Sequence, residues 1–146
     1  MRKPFCIVLL GLLAVFPAVP AWADQTDPRL DQLFEELRVG DARRAEENTA
    51  RIIEIWSDSQ SDTVDLLYER ANLAANNGAF DLSLALLDHI VGLAPNFAQG
   101  YALRGSVRLA SEDRAGAIED FSRVLELEPR QFEVRTTLAD LLLAGG

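Results

Sequence analysis

Cysteine, histidine, methionine and lysine each occur once in this chain of 146 residues. Each scarcity removes a class of chemistry. Cys6 lies early in an apolar run rather than just after one, so neither an internal disulfide nor lipid attachment is expected there. His89 stands between Asp88 and Ile90 with no second imidazole to complete a metal site, and Cys6 lies in the apolar run at the start. Lys3 is the only lysine, which excludes a phosphate-binding loop with its lysine anywhere downstream. Gly105-Ser106 is followed by Val107-Arg108, not by the x-Gly that a nucleophile elbow requires. The pairs Glu35/Glu36, Glu46/Glu47 and Asp113/Glu119 read as solvated helix faces and helix-start charges, and no calcium loop is present. No catalytic, cofactor-binding or metal-binding residue is therefore expected, and the chain reads as non-enzymatic.

Positive charge is scarce as well. There are 14 basic residues against 23 acidic ones, a net of -9. Double-stranded nucleic acid and anionic membrane surfaces are poor partners for such a chain, because no surplus of cations neutralises phosphates. The sequence is nonetheless 49% hydrophobic, enough to build a core in one domain.

Long apolar runs are confined to the start. Arg2 and Lys3 precede an apolar stretch over 5–16, followed by Pro17, Pro20 and Ala21-Trp22-Ala23. This order of charge, short hydrophobic segment and A-x-A site predicts a secretory signal peptide over 1–23, cleaved after Ala23. The stretch is shorter than the roughly 20 residues of a membrane span, and no later segment could insert. The product from Asp24 onward has 12 arginines, no lysine and 23 acidic residues, a net of -11. A bacterial periplasm is the expected location, with an extracellular one as the alternative. The expected partners are cationic or neutral proteins or peptides, bound less tightly as salt rises.

The remainder repeats itself. Pro95 and Pro129 lie 34 residues apart, and the same shift carries Ile90-Val91-x-Leu93 onto Val124-Leu125-x-Leu127. It also carries Leu87 onto Phe121, Leu67 onto Tyr101, Ala71 onto Gly105 and Gly78 onto Glu112. A weaker copy, Ile52-Ile53-x-Ile55, lies 38 residues upstream of its counterpart, so the connection near 56–62 holds four extra residues. Ala117, Phe121, Val124 and Leu125 fall on one helical face. Proline ends each second helix, and Gly78 suits the turn between partners. Helices are expected near 28–38, 42–56, 63–76, 81–93, 98–110, 115–127 and 132–144.

A 34-residue helix pair carrying Tyr101, Gly105, Ala117, Phe121 and Pro129 resembles the tetratricopeptide repeat, TPR. Trp56-Ser57-Asp58-Ser59 followed by 63–67 is similar to small exported TPR proteins of alphaproteobacteria. The sequence departs from the pattern at Glu112, Arg114, Arg108 and Arg70. The resemblance implies an all-α, short right-handed solenoid spanning 24–146. Its units are a degenerate repeat over 27–62, repeats over 64–97 and 98–131, and a terminal half-repeat over 132–146.

The resemblance also implies a groove lined by the first helix of every unit. That register places Asp65, Tyr68, Asn72 and Asn76, then Gln99, Ala102, Ser106 and Leu109, then Glu133, Thr136 and Asp140 on the groove face. Amides, hydroxyls and acids with one aromatic suit an extended segment or a helix of an envelope protein. The family's basic clamp for a terminal carboxylate needs lysines that are absent here. Arg70 and Arg104 occupy equivalent places and could meet ligand carboxylates or a structural partner. The last helix offers a second surface: Val134, Leu138 and Leu141 should pack inward, leaving Leu142 and Leu143 for a second copy or a partner's helix. A structural subunit assembled through that edge is the alternative reading.

Overall fold

The computed structural model describes residues 27–145, so the expected signal peptide lies outside the described residues. Among these residues seven helices follow one another: α1 (Pro28–Val39), α2 (Ala42–Ser57), α3 (Asp62–Asn76), α4 (Phe80–Leu93), α5 (Ala98–Ala110), α6 (Arg114–Leu127) and α7 (Phe132–Leu143). No strand occurs among the described residues. Their bounds fall within one or two residues of the expected ones, because local chemistry sets them. Asp27, Asp41 and Asp113 accept amide hydrogens of the first turns from Arg29 (2.7 Å), Arg44 (3.0 Å) and Gly116 (2.9 Å). Pro28 opens α1 where no intrahelical amide is needed. Beyond Leu93 and Leu127, Pro95 and Pro129 bar continuation.

The turns between partners require a left-handed residue. Gly78 supplies it between α3 and α4 with φ 73°. Glu112 stands at the same place one period later, with φ 65° and a side chain that disfavours it. Glu112→Gly should therefore stabilise the fold by about 0.5–1 kcal/mol, read as a higher urea midpoint at unchanged slope.

Pairs α3–α4 and α5–α6 pack closely, and each leans on the next unit through α4–α5 and α6–α7. One core joins Val64, Ala71, Leu87, Ile90, Ala94, Phe97 and Val107. The next joins Ala98, Ala117, Phe121, Val124 and Val134. Both cores run across unit boundaries, as a repeat that cannot bury its apolar face alone demands. Glycine at 105 is what admits the ring of Phe121: a Cβ there would stand 2.8 Å from its Cε1. Gly105→Ala should cost about 1–3 kcal/mol by overpacking.

The first pair departs from this stacking. Helices α1 and α2 enclose their own cluster of Leu30, Leu33, Ile52, Ile55 and Trp56. Helix α2 barely touches α3 and instead reaches α5. The four extra residues near 56–62 give the chain this freedom. Gln60 takes φ 59° in that connection, and Ser59 is buried and bonded to Asp65. Aromatic contacts hold the pair in place, with Trp56 lying 5.9 Å from the Phe34 ring and 6.2 Å from that of Phe132 at the start of α7. Arg130 completes the contact, stacking 4.9 Å over Phe34 and bonding Asp31 at 2.6 Å. The pair thus lies over the first turns of α5 and α7.

Candidate concave binding face

Helices α3, α5 and α7 stand side by side as the first helices of their units, and their exposed stripes form one face. A cavity of about 310 Å³ lies between this face and α2. Tyr68, Gln99, Ala102, Ser106, Glu133 and Thr137 line it from the groove side. Ile53, Trp56 and Ser57 line it from the hairpin. Alternation of helical faces explains the grouping: Gln99, Ala102 and Ser106 recur at three- and four-residue spacing.

The side chains expected in the groove divide into three sets, apart from Leu109, which is half-buried against the core of Ala117 and Phe121. Tyr68, Gln99 and Ser106 meet at the cavity with Ala102 and Glu133. Tyr68 packs edge-on against Phe97 at 5.4 Å, and burial raises its hydroxyl pKa, keeping it neutral and able to donate. The Ser106 hydroxyl donates to the Ala102 carbonyl one turn back at 2.9 Å. The second set is Asp65 alone, whose carboxylate accepts from the Ser59 amide at 3.1 Å and hydroxyl at 2.5 Å. That carboxylate anchors the connection to α2. Asn72, Asn76, Thr136 and Asp140 form the third set, exposed on the same helices away from the cavity. The Thr136 hydroxyl donates to the Phe132 carbonyl at 3.0 Å.

Sequence reasoning missed Trp56, Ile53, Gln131 and Phe132. No periodic signal could have found them, because they meet only through the displaced hairpin. Two of these residues carry unmet donors. Trp56 Nε1 and Gln131 Nε2 are buried with no acceptor in the protein.

Arg104 belongs to the framework. It grips the buried Asp120 carboxylate at 2.7 Å and reaches Asp88 at 2.8 Å, tying α4, α5 and α6 together. Arg108 holds the other Asp120 oxygen at 3.0 Å. The Asp120 carboxylate holds the Arg104 pKa above its ordinary value. Arg70, its counterpart, stays exposed because the residue equivalent to Asp120 is Leu86. A larger trough of about 610 Å³ lies on the hairpin's own surface among Arg29, Glu36, Arg51 and Glu54, away from the groove helices. His89 is exposed on α4, and among the described residues no group of three acids, histidines or cysteines could hold a metal ion. No helix among them is long and apolar enough to cross a membrane. On the outer side of α7, Leu142 and Leu143 are exposed, while Leu138 and Leu141 pack inward.

Antiparallel helix pairs stacked at a 34-residue period define a helical-repeat protein with a concave face. No family model matches the chain. A TPR repeat-containing protein of Rhizobium etli is 31% identical over 119 residues, 81% of this chain and 58% of that relative. RNA polymerase II-associated protein 3 of Xenopus tropicalis is 46% identical over 48 residues, 33% of this chain and 7% of that protein. The chain thus spans little more than half of the first relative and a small part of the second. Among solved structures, the first TPR of Spaghetti (RPAP3), bound to the HSP90 peptide SRMEEVD, superposes with a TM-score of 0.53. That match has 22% identity and covers 86% of this chain and 97% of the neighbour. The chain has the fold of a tetratricopeptide-repeat solenoid, and its resemblance to alphaproteobacterial TPR proteins rests on the Rhizobium etli relative.

Proposed function

We propose that this chain is a TPR interaction module that binds a peptide or helix of an envelope protein on the face of α3, α5 and α7. The observation that carries this reading is the cavity where Tyr68, Gln99, Ser106 and Glu133 converge beside the Phe132 ring. Amide, hydroxyl and carboxylate groups there can pair with a peptide backbone, while an apolar side chain packs on Phe132. Catalysis has no part in this reading. Export to a bacterial periplasm, after cleavage behind Ala23, remains part of the proposal and rests on the sequence of 1–23.

The solved neighbour holds an acidic peptide, SRMEEVD. On this chain the cavity holds Glu133, Asp140 lies further along the same helix, and Arg104 is committed to Asp120. Such a peptide should bind the mature chain at least about tenfold more weakly than a neutral or basic one of equal length, measured by fluorescence polarisation at low salt.

The test of the groove uses a peptide selected from a random display library on residues 24–146. Its affinity should fall at least about tenfold for Gln99→Arg/Ser106→Arg and stay unchanged for His89→Arg. Equal affinity for all three proteins overturns the groove reading. Exposure of Leu142 and Leu143 favours a second reading, an assembly contact through α7. In that case Leu142→Glu lowers the mass seen on sedimentation of concentrated protein.

A further inference from the structure

The face that the first pair leaves bare is a stacking face. The 34-residue shift carries Leu66 onto Gly100 and Val134, and Leu73 onto Val107 and Leu141. Those counterparts meet the unit before them. Val107 is 3% exposed in the core with Leu87 and Ile90, and Val134 is 7% exposed against Phe121 and Val124. Gly100 approaches Ile90 so closely that a Cβ would stand 2.9 Å from its Cγ2. In α3 the same positions are open, with Leu66 50% and Leu73 62% exposed. Leu73, Ala74, Leu82 and Leu86 surround an apolar hollow of about 400 Å³ there.

The hairpin that should cover this face lies elsewhere. Its seat on the groove is imperfect, since Trp56 Nε1 and Gln131 Nε2 are buried there without acceptors. An unmet buried donor weakens a contact that a competitor could complete. The Asp31–Arg130 pair that closes the seat is largely exposed on the Asp31 side. Leu30, Leu33, Ile52 and Ile55 form a cluster separate from the other two cores, so the pair keeps its own packing when it moves. Ile53, equivalent to the Val91 that meets Gly100, is half exposed and free to take up a stacking role.

We propose, building on the groove reading above, that α1–α2 is a lid with two seats. In the closed seat, seen here, it covers the first turns of α5 and α7 and inserts Trp56 beside Phe132. In the open seat it stacks in line on Leu66, Leu73 and Leu82 and uncovers the groove. A groove ligand and the hairpin then compete, and the favoured ligand presents an aromatic or large aliphatic side chain to Phe132 in place of Trp56. Apparent affinity scales with the open fraction.

The product from Asp24 contains no cysteine, so two can be introduced cleanly. Spin labels at Glu47→Cys on α2 and Asp81→Cys on α4, both exposed, report the hairpin's position by pulsed electron resonance. Asp31→Arg opposes Arg130 and should raise the in-line population about fivefold, with the same gain in affinity for the display-selected peptide. Leu73→Glu/Leu82→Glu puts charge on the second seat, at positions exposed here, and should move both readouts the other way. One distance distribution, identical in the parent and both variants, overturns the lid while leaving the groove reading intact. Distances that shift while peptide affinity does not would overturn the lid's competition with a groove ligand, and the Gln99→Arg/Ser106→Arg result then decides the groove reading by itself.

Discussion

Phe121→Ala should lower the stability of the chain by about 3–5 kcal/mol, enough to unfold a large share of so short an array. The ring is buried where α5, α6 and α7 meet, in one cluster with Ala98, Ala117, Val124 and Val134. Its position beneath Gly105 leaves a hole on that side that glycine, with no side chain to move, cannot fill. The loss also reaches the next unit, whose Val134 rests in the same cluster. Urea unfolding followed by circular dichroism measures it. A midpoint within experimental error of the parent would mean that the 34-residue register is misassigned.

Asp120→Ala should cost a comparable amount, about 3–5 kcal/mol, for a different reason. The Asp120 side chain is 3% exposed and is held by two arginines, at 2.7 Å from Arg104 and 3.0 Å from Arg108. Removing the carboxylate leaves two partly buried cations without their shared partner. An apolar replacement of Asp120 together with its closest arginine should behave differently. Asp120→Leu/Arg104→Met puts leucine where the preceding unit has Leu86, and should recover much of the loss. Urea midpoints of both variants decide the matter. A single variant that loses under about 1 kcal/mol would show that the carboxylate acts as an exposed ion.

The sequence carries the helices and the stacked units in plain form. Proline at 95 and 129, glycine at 78 and the triplets around Ile90 and Val124 each act within one turn or one unit, and local forces place them. Glu112 shows the same point in reverse: it breaks the glycine rule, yet the turn forms with φ 65° because packing on both sides requires it. The groove stripe was legible only in part. Tyr68, Gln99 and Ser106 reach the cavity through helical spacing alone.

What periodicity could not show is the seat of the first pair. Its position depends on contacts between residues far apart in the chain, such as Asp31 with Arg130 and Trp56 with Phe132. The one trace in the sequence is the four-residue excess before Thr63, which loosens the register without saying where the pair goes. The role of Asp65 was hidden for the same reason, since its partner Ser59 sits in that excess. Arg104 and Arg70 look alike by register and differ in fact because Asp120 and Leu86 differ one helix away.

The central claim is that the concave face of α3, α5 and α7 receives the partner. Amide hydrogen exchange of residues 24–146, with and without a display-selected peptide, tests it most directly. The account predicts slowed exchange in the first two turns of α5 and α7 and around Tyr68, with α6 unchanged. Protection confined to α4 and α6, or to the end of α7 at Leu142 and Leu143, would contradict it.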